Sequence, residues 1–234
     1  MTYLLGHETY EADVDGESIA MVSDTVIALP VDGEPVEIWS ARESLWDDLY
    51  PVILQMLEQG QERPLDWTHG TTIAFDERND RLLVTLTKAN SVVGINRLTG
   101  VTSWVLGGNA STLTVGVEQG TLVAVPHSIQ ALDGSVLLFN QQFDRDGEHC
   151  GEATEVALDV PDSSASLAWW GREPDCGAPD IMGSAYRMLD GGTLMAGGTL
   201  GRLSWLDTQG EQVWRLEAEL GTTFGGTSHV ADFH

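Results

Sequence analysis

The sequence predicts an all-β fold, a β-propeller of four-stranded antiparallel blades with a short helical insertion at about residues 41–64. Three observations predict it. Short apolar runs alternate with clusters of Asn, Asp and Gly, the pattern of strands joined by tight turns. Eight Trp and 26 Gly suit an all-β chain with many turns. The runs also recur: His7, His69, His127 and Tyr186 stand 62, 58 and 59 residues apart by subtraction, each near the start of a strand group.

The clearest module spans residues 66–108. Ile73, Leu83, Val92 and Trp104 anchor its four runs, and turns at Asn79-Asp80, Ala89-Asn90 and Thr99-Gly100 separate them. Blades are expected at approximately 7–40, 66–108, 127–170 and 181–217, in a single propeller domain spanning 1–234. The first has turns at Asp15-Gly16 and Asp32-Gly33 and ends on a Trp-bearing strand, Val36 to Ser40. Residues 41–64 then break the alternation. Ser44 and Asp47 read as a capping box, Leu45, Leu49 and Tyr50 follow at helical spacing, and Pro51 suits the first turn of a second helix ending near Gly60. Residues Asn109 to Gly120 read as a loop and Leu122 to Val125 as a short strand. The third and fourth blades turn at Asp133-Gly134 and Asp190-Gly191, and the fourth ends on Trp214.

Charge narrows the functional classes. The 234 residues carry 36 acidic and 11 basic side chains, a net −25, and Lys88 is the only lysine. A field of that sign repels nucleic acid and anionic membranes, so no nucleic-acid partner and no membrane insertion are expected. No apolar run approaches the ~20 residues of a membrane-spanning helix, and the first six residues lack the basic start of a signal peptide. Cys150 and Cys176 lie in Gly- and Asp-rich surroundings, which favours a disulfide between two loops over two free surface thiols. A disulfide implies an oxidising, extracytoplasmic compartment. His149 beside Cys150 makes too small a set for a metal, and no cofactor is expected. Gly107-Gly108 and Gly197-Gly198 precede no lysine or helix start and are not phosphate loops.

Four segments carry a resemblance. Asp66-Trp67-Thr68-His69-Gly70, Asn79-Asp80-Arg81, Asn96-Arg97-Leu98-Thr99-Gly100 and Trp104-Val105-Leu106-Gly107-Gly108 together resemble the arylsulfotransferase family. That resemblance implies a six-bladed propeller, of which four modules are visible here. It also implies transfer of a sulfuryl group between phenols without a nucleotide donor. In the family one histidine takes the group transiently, while other histidines and an arginine surround the sulfate. Carried over, His69 matches the histidine of D-W-x-H, and His127 matches a histidine whose preceding glutamine is Pro126 here. Arg145 is the nearest match to the arginine, and His7 opens the first repeat. Tyr186 follows Gly183-Ser184-Ala185 where the family places the sulfated histidine.

Two functions follow as expectations. One is an arylsulfotransferase-like enzyme whose catalytic residues are His69, His127 and Tyr186, with Arg145 and His7 binding substrate. The other is a non-catalytic propeller that binds a small aromatic molecule, a sulfate ester or a protein partner. Repeated histidines that only bond blade to blade would equally account for the spacing. Open blade edges imply a tendency to self-associate.

Overall fold

The computed structural model describes residues 1–144, 149–175 and 182–218. The chain divides into two compact units, Met1–Thr112 and Leu113–His234. Its fold class is all-β, with mainly antiparallel sheets of propeller-blade type, three of four strands and one of five, and one α-helix among the described residues.

In the first unit β1 (Thr2–Val14) and β2 (Glu17–Leu29) form a long hairpin in unbroken register from Thr2 opposite Leu29 to Val14 opposite Glu17. Asp15 and Gly16 close it with φ of 53° and 88°, the left-handed pair that lets a two-residue turn follow strand twist. The third strand, β3 (Val36–Ser40), pairs with β2 over residues 25–28. The helix α1 (Ala41–Glu58) follows directly, and Ser40 Oγ caps it by accepting from Glu43 N–H at 3.4 Å. It is one helix where two were expected. Ala41, Leu45, Leu49, Ile53 and Met56 form a single buried stripe at spacings of four, four, four and three, and that stripe runs straight through Pro51. Core burial therefore outweighs the backbone bond that proline removes.

After α1, β4 (Leu65–Asp66) adds to the first sheet, parallel to Met21 and Val22 of β2. The expected second blade thus starts later, with β5 (Gly70–Asp76), β6 (Arg81–Leu86), β7 (Ser91–Asn96) and β8 (Thr102–Leu106) as an antiparallel meander. Gly94 lies opposite Trp104, and a Cβ there would overlap the indole ring, so the sheet requires a bare backbone under the tryptophan. Trp67, fully buried, packs edge-on against Trp46 of the helix at 5.8 Å and donates from Nε1 to Tyr10 OH at 3.0 Å. The helix stripe, Trp39 and Trp67 share one core with Met21, Leu65, Val84 and Val93.

In the second unit β9 (Thr114–Val115) pairs in parallel with the far strand of a meander. That meander is β10 (Pro126–Ala131), β11 (Ser135–Asp144), β12 (His149–Asp159) and β13 (Ser164–Arg172). The segment Leu122 to Val125 is not the expected strand. The buried Asn140 side chain takes its backbone partners instead, accepting from Ala124 N–H at 3.0 Å and donating to Leu122 O at 3.1 Å, and Val125 is left-handed at φ 51°. The last sheet runs β14 (Ser184–Arg187), β15 (Thr193–Ala196), β16 (Arg202–Leu206) and β17 (Gln212–Glu217). Phe139, Leu137, Ala153, Ala185, Met195 and Leu206 pack between these two sheets. Among the described residues no helix is long and apolar enough to cross a membrane.

Candidate functional site

The segment Asp66-Trp67-Thr68-His69 forms the turn between β4 and β5, and its shape follows from two carboxylates. Asp66 accepts from its own turn, taking His69 N–H on Oδ1 at 3.0 Å and facing the ring Nδ1 with Oδ2 at 2.5 Å. Those bonds hold His69 at φ 53°, a left-handed backbone that costs a non-glycine residue about 1–2 kcal/mol. Strain retained at a titratable residue is a pointer to function. Asp24, buried on β2, braces the same turn from the neighbouring sheet. Its Oδ2 accepts from Thr68 Oγ1 at 2.5 Å and from Gly70 N–H at 2.6 Å, and its own N–H donates back to Thr68 Oγ1 at 3.1 Å. A Cβ on Gly70 would sit 2.7 Å from the Asp24 carboxyl carbon, so this close approach requires glycine.

The second side of the site comes from the turn between β6 and β7. Thr87 N–H donates to His69 O at 3.0 Å and Lys88 N–H to Thr68 O at 3.1 Å, which prolongs the β5–β6 ladder past its last strand residue. Lys88 Nζ then lies 3.4 Å from Asp66 Oδ2. The electrostatics follow. The hydrogen bond and charge of Asp66 raise the His69 pKa above its ordinary 6.5, against partial burial and the Lys88 charge. Burial opposes ionisation of Asp66, yet the His69 bond and the Lys88 charge together hold it below 3.8. Asp24 is pushed up by burial despite its Thr68 and Gly70 bonds. His69 is therefore biased toward imidazolium, its ring 53% exposed, beside an ionised Asp66.

His7 was expected ahead of a strand and lies within one instead, as an exposed residue midway along β1 directly opposite Asp24. Asp24 thus relates the two first-unit histidines by position alone: His7 stands across the hairpin from it, and His69 lies in the turn that it braces.

In the second unit His127 is the extra residue of a bulge, because Pro126 pairs with Asn140 and Ser128 with Phe139. Bulges re-aim a side chain out of the regular alternation. Tyr186 lies on β14 opposite Leu194 and is half-buried. The strands β10 and β14 run side by side, joined through side chains. Ser128 Oγ accepts from Ala185 N–H at 3.1 Å and Gln130 Oε1 from Arg187 N–H at 2.6 Å. His127 and Tyr186 flank the first of those bonds. Arg145 and Cys176 fall outside the described residues. Cys150, expected in a surface loop, is buried on β12, with Arg172 Nη1 3.5 Å from its sulfur. Among the described residues no group of three or more His, Cys, Asp and Glu is placed to hold a metal.

Four polar residues at these seams were missed. Asp24 and Thr68 carry the turn, Lys88 faces it, and Arg187 pairs with Glu155 at 2.8 Å while stacking over Trp169 at 4.1 Å. A signal existed for Asp24: Ser23-Asp24-Thr25 interrupts an apolar strand, and a polar triplet there needs partners.

Residues 2–117 match the family described as Arylsulfotransferase (ASST). No curated protein matches the chain. A protein of unknown function from Bacteroides caccae is similar in structure, with 16% identity, a TM-score of 0.47, and coverage of 92% of this chain and 68% of that one. Virginiamycin B lyase from Staphylococcus aureus is similar at 9% identity and a TM-score of 0.48, covering 94% and 61%. The Pan2 WD40 domain of Neurospora crassa is similar at 15% and 0.42, covering 65% and 39%. This chain thus spans less than two thirds of the length of the last two. The D-W-T-H turn between β4 and β5 falls inside the stretch that matches the arylsulfotransferase family, residues 2–117, just under half of the chain.

Proposed function

We propose that the protein handles aryl sulfate esters and transfers their sulfuryl group to a phenol. The observation that carries this reading is the His69 turn: a strained, exposed imidazole held by a carboxylate in the family segment. In the transfer the S–O bond to the donor phenol breaks and a new S–O bond forms to the acceptor. The acceptor's proton passes to a base and the donor phenoxide takes one up. Imidazolium at His69 suits binding the sulfate oxygens, and His127 is proposed to move protons. On the sequence resemblance, Tyr186 is proposed to stand where the family has its nucleophile. A binding-only protein is the second reading, and Tyr186 is what favours it.

A chromogenic aryl sulfate with a phenol acceptor separates the two. Release of the coloured phenol, abolished in His127→Ala, supports the enzyme. Absence of turnover together with thermal stabilisation by the ester supports the binding protein. We further propose that Cys150 and Cys176 pair in an oxidising, extracytoplasmic compartment. Thiol titration of the unreduced, denatured chain is then expected to find none free, and two free thiols would end that proposal.

A further inference from the structure

The chain leading to His127 is held by a side chain in place of a sheet. Leu122 and Val123 are buried but lie outside the strands, so the backbone there needs partners other than water. Asn140, fully buried on β11, supplies two of them. Its Oδ1 accepts from Ala124 N–H at 3.0 Å, and its Nδ2 donates to Leu122 O at 3.1 Å. Nδ2 also donates to Thr154 Oγ1 at 3.0 Å, and that hydroxyl donates to Glu152 Oε1 at 2.8 Å. Thr154 and Glu152 are buried as well. These bonds fix the carboxamide in one sense. Turned over, it would set its oxygen against Leu122 O and its amino group against Ala124 N–H.

The backbone beside Asn140 completes the grip. Asn140 lies opposite Pro126, and Gln141 N–H donates to Val125 O at 3.1 Å. Between these holds Val125 is left-handed at φ 51°, a backbone that a β-branched residue keeps only under constraint. Two residues on stands His127, partly exposed at its bulge. Beyond it, Ser128 Oγ accepts from Ala185 N–H at 3.1 Å. The segment that carries His127 is therefore strained and bulged, and it is pinned from both ends.

We propose that Asn140 is a positioning residue for His127: its carboxamide, oriented by Thr154 and Glu152, holds residues 122–126 in the shape that aims the imidazole. It acts through the backbone and not on the substrate. The inference rests on the sulfuryl-transfer reading for the reaction that His127 serves, and on these bonds for the placement of the ring.

The test uses the whole protein. Ring ¹H–¹³C signals of His127 are identified by their loss in His127→Ala and followed in three variants. Asn140→Leu keeps the volume and loses all three side-chain bonds. Asn140→Asp keeps an acceptor for Ala124 N–H and has at most one donor in place of two. Ser135→Ala removes a different bond of the same strand, from Ser135 Oγ to Glu155 Oε1 at 2.7 Å, and controls for lost stability alone. The His127 signals are expected to move in Asn140→Leu, to move less in Asn140→Asp and to stay in Ser135→Ala, with those of His69 unmoved throughout. Turnover of the chromogenic ester should fall about tenfold or more in kcat in Asn140→Leu, with KM within about twofold of the parent. His127 signals unmoved in folded Asn140→Leu, or moved as far by Ser135→Ala, would overturn the proposal. Where Asn140→Leu does not fold, Asn140→Asp decides by the same signals. The two readings fail separately. A parent without ester turnover loses the enzyme, and the ring signals still judge the positioning. Turnover with kcat intact in Asn140→Leu keeps the enzyme and ends the positioning.

Discussion

The two units join their sheets by the same device in different chemistry. In each, a first strand lies beside the first strand of the next sheet, β1 beside β5 and β10 beside β14. In the first unit the seam is ionisable: Asp24 reaches across to Thr68 and Gly70, and Asp66, His69 and Lys88 follow within the same turn. In the second, Ser128 and Gln130 bond the β14 backbone through neutral side chains, while the carboxylates of Glu155 and Glu173 pair with Arg187 and Arg202 of the next sheet. Both seams therefore combine hydrogen bonds with carboxylates, and the first adds a histidine and a lysine at its turn. What differs is the cations: an imidazole and an ammonium meet at Asp66 in the first unit, where the second unit has guanidinium groups on its glutamates.

The largest effect that would break this comparison is in the cores. Trp67→Ala is expected to cost about 3–5 kcal/mol in denaturant titration, because a fully buried indole leaves a cavity beside Trp46. Trp67→Phe should recover most of it and isolate the Tyr10 bond, worth about 1 kcal/mol. Next come the seams. Asp24→Ala strands two donors and should cost about 2–3 kcal/mol, whereas Gln130→Ala should cost about 1 kcal/mol. Equal losses would mean that the charged seam is merely structural.

The smallest effect is the pH dependence. The raised His69 pKa contributes stability that is full below 6.5 and is lost as pH climbs through the folded value. The lowered Asp66 pKa contributes above 3.8 and is lost as pH falls through its folded value. The pair is thus fully effective between those limits. At this exposure its worth is at most about 1 kcal/mol. Asp24 runs the other way, since its raised pKa favours the fold most below 3.8. His69→Gln should flatten the high-pH limb of a stability profile, and an unchanged limb would refute the assignment.

Much of this was legible in the sequence, and the exceptions have physical causes. Period-two apolar runs and Asx-Gly turns located the 66–108 meander and the strand Val36–Ser40, because those signals are local. Pro51 misled because its local rule competes with a long-range stripe of burial. Leu122–Val125 misled because β-branched composition cannot show that Asn140, far along the chain, will claim its backbone. His69 was visible through its motif. Its partners Asp24 and Lys88 were not, because only pairing β2 with β4 and closing the β6–β7 turn bring them to it.

One feature reaches beyond binding. Because the chain carries a single ε-amino group, acylating reagents have just one side-chain target, and it lies in the turn facing His69. A fluorophore or isotope tag coupled there would sit at one defined spot without any engineered residue. Its protection by added anions would serve as a footprint of whatever occupies that corner.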